Sequence, residues 1–258
     1  MTAATVAAVK PCAIAVMAKA PRAGRVKTRL VPPLTPEGAS LLSASFLRDI
    51  TENVQAAARA AAIDGYVAYA PAGHERFFDG MLTVGTGLVL ADGAVAVPPR
   101  IHGFGRSLLH AAQTLFAHGH DAVCLLNSDS PTLPTACLVE AARALAMPGD
   151  RVVLGAAEDG GYYVLGMKAP HAHLFEDIAW STAAVAAETR RRAHALGLAV
   201  VELPRWYDVD DGAALERLWR EVTVGPKAGA LAPYAAPATA VCLMQLRLPD
   251  LLALRAVG

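Results

Sequence analysis

The sequence predicts a doubly wound α/β fold. Short apolar, strand-like runs alternate with longer amphipathic helical patterns, the order expected of a largely parallel sheet. Several of those runs end in charged, Gly- and Pro-punctuated loops, which places the polar chemistry at strand ends. The chain is also long and apolar enough for one large core, with 258 residues, 54% hydrophobic composition and a mean hydropathy of +0.36.

Cys12-Ala-Ile-Ala-Val-Met-Ala18 is uncharged, lies between Pro11 and Pro21, and reads as a buried parallel strand. Pro36 and Glu37 open an alanine-rich helix predicted to reach about Ala62, with Leu41, Leu42, Phe46, Leu47, Ile50 and Val54 at helical spacing. Ile63 to Ala70 alternates as a strand and stops at Pro71, whereas Leu82 to Leu90 is broken by glycine and has no single reading. Helices are predicted over Ser107 to His118, Thr135 to Ala146, Thr182 to Leu196 and Ala213 to Glu221. Strands are predicted over Ala122 to Asn127, Arg151 to Gly155, Tyr162 to Gly166 and Leu198 to Leu203. Beyond Val224 the composition shifts to Gly, Ala and Pro and ends leucine-rich, so residues 225–258 are expected to be an appendage to a domain spanning 1–224. Its leucines need cover, either from that domain or from a second copy in a homo-oligomer.

The charge balance is neutral, 23 basic against 23 acidic residues, which gives no global attraction to nucleic acid or to an anionic membrane. The segregation is local: six cations (Lys10, Lys19, Arg22, Arg25, Lys27 and Arg29) precede the first acid, Glu37. Cys12, Cys124, Cys137 and Cys242 lie far apart with no Cys-x-x-Cys spacing, as expected of reduced cytoplasmic thiols. No membrane span is expected: the longest uncharged stretch, Lys227 to Arg247, is broken as a helix by prolines at 233 and 237.

Lys19-Ala-Pro-Arg-Ala-Gly-Arg-Val-Lys-Thr-Arg29 carries five cations and no acid directly after the first strand. Guanidinium and ammonium groups at that edge suit a polyphosphate, through charge-assisted hydrogen bonds; the alternative is a solvated surface loop. Asn127-Ser-Asp-Ser-Pro131 ends the strand from Ala122, so Asp129 reaches the same edge, either to bind Mg²⁺ or Mn²⁺ with phosphate oxygens or to cap the following helix. Glu158-Asp-Gly-Gly-Tyr-Tyr163 reads as a hairpin whose paired glycines also permit close approach of a ligand, and at most one of the two tyrosines can face a pocket. In Tyr207-Asp-Val-Asp-Asp211, Asp208 and Asp210 share one face of an extended segment, and a divalent metal relieves their repulsion; Asp211 reads as a helix N-cap.

Other constellations fail. Lys27-Thr28 follows Val26 where a Walker A loop needs glycine, and no G-x-G-x-x-G opens the first helix. His171 and His173 lack a third zinc ligand at a suitable spacing, and no Ser or Cys nucleophile has the context of a hydrolase triad.

Ala18-Lys-Ala-Pro-Arg-Ala-Gly-Arg-Val-Lys-Thr-Arg-Leu30, Ser128-Asp-Ser-Pro131, Glu158-Asp-Gly-Gly-Tyr-Tyr163, Trp180-Ser-Thr182 and Tyr207-Asp-Val-Asp210 occur together in that order. In this the chain resembles the bacterial glycosyltransferase-like family, labelled radical-SAM/selenodomain-associated transferase, within the nucleotide-diphospho-sugar transferase (GT-A) superfamily. The resemblance runs from about Ala13 to Glu221. More distantly, the chain is similar to the guanylyltransferases of coenzyme F420 and molybdenum-cofactor assembly. The resemblance implies a GT-A-like, Rossmann-related mixed but mostly parallel sheet flanked by helices. It implies a nucleotide on the first loop (Ala18, Lys19, Ala20, Gly24, Lys27, Arg29, with Ser128) and Mg²⁺ or Mn²⁺ on Asp129, Asp208 and Asp210. Glu158, Gly160, Gly161, Tyr162 and Trp180 would line an acceptor or sugar pocket. Two regions depart from the family: Gly103-Phe-Gly-Arg-Ser107 stands where it has Asp-Leu-Gly-Glu-Arg, and the tail after Val224 is unmatched.

The expected activity is metal-dependent transfer from a nucleoside-diphosphate sugar to a small-molecule acceptor, with Asp129, Asp159 and Lys27 catalytic and Asp159 or Glu158 the base. A nucleotidyltransferase that joins an NTP to a phosphorylated acceptor and releases pyrophosphate is the first alternative. A nucleotide-binding protein without turnover is the second.

Overall fold

The computed structural model describes residues 10–225 and 231–255. The run from Cys12 forms β1 (Cys12–Lys19), buried along all but its last residue because helices cover both faces of the sheet. It pairs in parallel with β2 (Ile63–Ala70) on one side and β4 (Val123–Leu126) on the other. The ambiguous segment resolves as β3 (Gly87–Leu90), a short edge strand parallel to β2. β6 (Tyr162–Met167) lies antiparallel between β4 and β5 (Arg151–Ala157), and β7 (Ala199–Trp206) closes the far edge parallel to β5. The sheet order is therefore β3-β2-β1-β4-β6-β5-β7, the mixed, mostly parallel sheet expected from the sequence.

Side-chain alternation along β1 divides the core in two. Ile14 and Val16 pack towards α1 (Pro36–Ala57) and α3 (Thr135–Ala146), and Ala13, Ala15 and Met17 towards α2 (Phe104–Ala117) and α4 (Val185–Ala195). Thr35 caps α1 by accepting from Gly38 N at 3.0 Å, with Pro36 in the first turn where it sacrifices no hydrogen bond. The helix stops at Ala57, short of the predicted Ala62. Residues 58–62 turn instead, because Ile63 must enter β2 in register with Cys12. Alanine's helix preference yields there to strand pairing.

α5 (Gly212–Val224) begins at Asp211, whose carboxylate accepts from Ala214 N at 2.8 Å. In the tail, Pro237 opens a helix rather than breaking one: it sits in the first turn of α6 (Pro237–Gln245), which precedes α7 (Leu248–Arg255). Cys242, Leu243 and Leu248 are buried in the same core cluster as Phe46 and Ile50 of α1. Ala236, in left-handed backbone, offers α6 no side-chain cap. The buried Asp49 of α1 supplies it, accepting from Ala238 N at 2.9 Å and Thr239 N at 2.6 Å. Burial raises the pKa of Asp49 while the hydrogen bonds from Thr239 and Ala238 oppose that rise. Among the described residues no helix is long and apolar enough to cross a membrane.

Asp49→Ala strands the N–H donors of Ala238 and Thr239 and should lower unfolding free energy by about 2–6 kcal/mol, at roughly 1–3 per orphaned group. Urea denaturation reads it, and a loss below about 0.5 kcal/mol would show that α6 does not need this cap.

Candidate active site

Because β5 and β7 run parallel to β1, β2 and β4, the C-terminal ends of these strands meet at one edge, as does the turn joining β5 to β6. A cavity of about 550 Å³ opens there, within the range of small-molecule sites. Lys19, Lys27 and Arg29 line it from the first loop, Ser128 and Asp129 from the end of β4, Asp159 from the hairpin and Asp210 from the segment after β7. A second cavity of about 430 Å³ adjoins it, sharing Arg29, Asp159 and Asp210 and adding Glu158, Tyr207, Asp208, Asp211 and Arg217.

Lys27 stands at the centre. Its backbone is left-handed (φ 49°, ψ 36°), which turns the side chain inward from an otherwise exposed loop. Its ammonium lies 2.6 Å from Asp129 Oδ1 and 3.3 Å from Asp210 Oδ1, and donates to Val209 O at 2.7 Å. Three donors thus meet three acceptors. The side chain is only 6% exposed, with the Phe46 ring 5.1 Å from the nitrogen as a cation–π partner. Arg29, by contrast, is 73% exposed and 3.9 Å from Asp210, free to meet a ligand. Gly24 (φ 71°) forms the tight turn in which Arg25 N donates to Arg22 O at 2.9 Å.

Main-chain and buried side-chain bonds hold the carboxylate-bearing segments together. Val209 N donates to Asp129 O at 2.8 Å, and Ser130 Oγ donates to Tyr207 O at 2.9 Å. Thr132 Oγ1 lies 3.2 Å from the Tyr207 hydroxyl, and both hydroxyls donate to the Glu221 carboxylate of α5. Asp129 caps no helix: α3 starts at Thr135 with Pro134 before it and no side-chain cap. Asp208 is partly buried, and its carboxyl is pushed up to about 6 by burial first, then by the charges of Asp159, Asp210 and Asp129. Arg217 stacks 3.8 Å over the Tyr207 ring and pairs with Glu158 at 2.7 Å across the second cavity.

Several residues expected in the site lie elsewhere. Ala20, Gly24, Gly160, Gly161, Tyr162 and Trp180 line neither cavity. Ala20 is buried in the core. Gly160 (φ +93°) faces Ala183, whose carbonyl oxygen would be 2.2 Å from an added Cβ, so the glycine accommodates protein backbone. Gly161 N donates to Asp159 Oδ1 at 2.7 Å and so steadies the hairpin carboxylate. Tyr162 packs against the core cluster on the α2 side, with a buried hydroxyl that has no partner among the described residues. Tyr163 is fully buried on the other side, donating to Pro204 O at 2.8 Å. Trp180 packs edge-on to Phe104 and covers Gly105, where an added Cβ would lie 2.9 Å from the indole.

Arg106, in the segment that departs from the expected motif, donates to Gly93 O and Val95 O, both at 3.1 Å, and secures the loop before α2. Ser43, Leu47, Ala68, Ala70, Ala91, Phe104, Ser107 and Ser181 line the large cavity without having been expected. Ala68 and Ala70 carried a signal as the end of a parallel neighbour of β1, and Phe104, Ser107 and Ser181 lie inside motif segments noted from the sequence; Ser43, Leu47 and Ala91 carried none.

The family profile described as "Uncharacterized protein conserved in bacteria (DUF2064)" matches residues 53–182, just over half of the chain. The chain belongs to this family. No curated protein matches it in sequence. A crystal structure from Desulfovibrio desulfuricans G20, described as that of a candidate nucleotide-diphospho-sugar transferase, is 25% identical with a TM-score of 0.74, covering 93% of this chain and 98% of its own. A cytidylyltransferase from Leptospira borgpetersenii serovar Hardjo-bovis is 11% identical with a TM-score of 0.51, covering 94% and 96%. CMP:2-keto-3-deoxy-manno-octonic acid synthetase, solved with CTP, is 12% identical with a TM-score of 0.50, covering 81% and 97%. The last two speak for the fold alone. The likeness to the first supports placing this DUF2064 protein in the GT-A-like transferase superfamily.

The Asp208 pKa is raised above its value in the unfolded chain, so its contribution to stability is present below about pH 4 and is lost as pH rises through 6. With chelator present, Asp208→Asn should match wild type near pH 4 and be the more stable protein at pH 7. Urea midpoints across that range check the sign, and a variant less stable at pH 7 would refute it.

Proposed function

We propose that the protein is a metal-dependent transferase that uses a nucleoside-diphosphate sugar to glycosylate a small-molecule acceptor. One observation carries this reading: Lys19, Lys27 and Arg29 line one cavity at the strand ends together with Asp129, Asp159 and Asp210. Cations opposite carboxylates at that edge suit a diphosphate with a divalent cation between. The likeness to the Desulfovibrio protein supports the same chemistry. The five ordered motifs support a place in the glycosyltransferase-like family labelled radical-SAM/selenodomain-associated. We assign residues 1–224 to the transferase domain and 225–258 to an appendage, and we take the protein to be cytoplasmic.

The donor set fits Mg²⁺ or Mn²⁺ in its chemistry. Six carboxylates border the two cavities, and the Asp208 pKa is raised first by burial and then by the neighbouring charges of Asp159, Asp210 and Asp129. Among the described residues, no three His, Cys, Asp or Glu side chains converge as a ready-made metal cluster. Asp129, Asp208 and Asp210 would hold the ion, which would supply Lewis-acid neutralisation of the diphosphate.

The protein's own groups do the rest. The first-loop cations bind the diphosphate, with Arg29 exposed at the boundary between the cavities. The acceptor occupies the second cavity, where Asp159 takes the proton of its hydroxyl. That oxygen bonds to the anomeric carbon while the bond to the diphosphate breaks, its electron pair leaving on the phosphate oxygen that Lys27 and Arg29 stabilise. Arg29 and Arg217, which both line the second cavity, favour a second reading, in which a phosphorylated acceptor there attacks the α-phosphate of an NTP and pyrophosphate leaves.

Turnover of NDP-sugars and NTPs with Mn²⁺ separates the two: NDP release supports the first reading, pyrophosphate release the second. Asp129→Asn should reduce kcat by about 10²–10³, the scale of losing one electrostatic catalytic contact, and Arg29→Ala should raise KM or lower kcat while keeping the fold. Unchanged turnover in Asp129→Asn would remove the metal assignment.

A further inference from the structure

We propose that Lys27 is an exchangeable counter-ion. Its ammonium holds Asp129 and Asp210, and it must leave them when a divalent cation engages the same carboxylates. The inference rests on the functional reading above and concerns how that site is kept before its ligands arrive.

Lys27 was expected as a phosphate ligand, yet every one of its donors is already used. Asp129 takes one at 2.6 Å, Val209 O one at 2.7 Å and Asp210 one at 3.3 Å. At 6% side-chain exposure it cannot meet a phosphate while it keeps these partners. The carboxylates cannot close on a divalent ion while it keeps them either, because a second cation among the same oxygens would face a like charge at contact distance.

Lys27 also has somewhere to go. It borders the large cavity beside Lys19, Thr28 and Ser128, and its four-carbon stem lets the charge swing from the carboxylates towards a bound diphosphate. Metal entering alone displaces the ammonium without giving it a new partner, whereas metal entering with a diphosphate provides one. The two ligands therefore raise each other's affinity, and until they bind the ammonium compensates Asp129 and Asp210.

The test is Mn²⁺ binding, read from the paramagnetic resonance of the free ion, in wild type, Lys27→Met and Lys27→Arg, with near-UV circular dichroism as the fold control. Lys27→Met should bind Mn²⁺ alone at least tenfold more tightly than wild type, and Lys27→Arg no more tightly. Equal or weaker binding by Lys27→Met overturns the exchange. A second measurement uses the unmodified protein and separates displacement from mere loss of a neighbouring charge. Saturating Mn²⁺ should increase reductive methylation of Lys27, followed by mass spectrometry, at least fivefold. Unchanged labelling at Mn²⁺ saturation overturns the exchange while leaving the metal assignment standing. No Mn²⁺ binding by either wild type or Lys27→Met removes the metal reading itself, and the exchange with it.

Discussion

The ammonium of Lys27 joins three stretches of chain that are remote in sequence. The first loop, the end of β4 and the segment after β7 meet at one nitrogen, which bonds Asp129, Val209 O and Asp210. A buried cation with three matched acceptors is costly to disturb from either side, because removing one partner leaves charge without compensation. The first loop bears five cations and would otherwise project into solvent. Lys27, with the buried Leu30, holds it over the strand ends, where it lines the large cavity.

The carboxylate segments have their own supports. Val209 N bonds Asp129 O, and Thr132 and Tyr207 converge on Glu221 of α5. These bonds are buried, so they are strong where solvent does not compete, and they set the spacing of Asp129 against Asp208 and Asp210. The tail joins the same framework: Tyr234 N donates to Thr132 O at 3.0 Å, and Asp49 anchors the first turn of α6. Residues after 230 are thus connected, through Thr132, to the loop that carries Asp129. A change in the tail can reach the site by that route although no tail residue lines either of its cavities.

Most of the element order was legible because each element has a local cause. β1 is an apolar run, uncharged as far as Ala18, between prolines, α1 has Thr35 and Pro36 at its start, and α5 has Asp211. Boundaries were less legible where tertiary pairing overrode local preference. Residues 58–62 leave the helix so that Ile63 can pair with Cys12, and Pro237, which looked like a helix breaker, occupies the one turn that tolerates it. Leu82 to Leu90 could not be assigned locally because β3 is specified by its neighbour β2. The paired glycines and Trp180 were legible as special positions, but their partners are Ala183, Gly105 and Phe104, none of which their own sequence context announces.

By itself the sequence determined the fold class, the order of strands and helices, and the delivery of cations and carboxylates to strand ends, because periodicity, capping and charge segregation are local properties. It also marked Asp211 as a cap, since a capping carboxylate needs only the next three residues. Only the tertiary structure decided which charges face each other. Lys27 and Arg29 are two positions apart and chemically alike, yet one is buried between Asp129 and Asp210 and the other stands largely in solvent. That difference arises from a left-handed turn and from acceptors 102 to 183 residues away, contacts that no local pattern encodes.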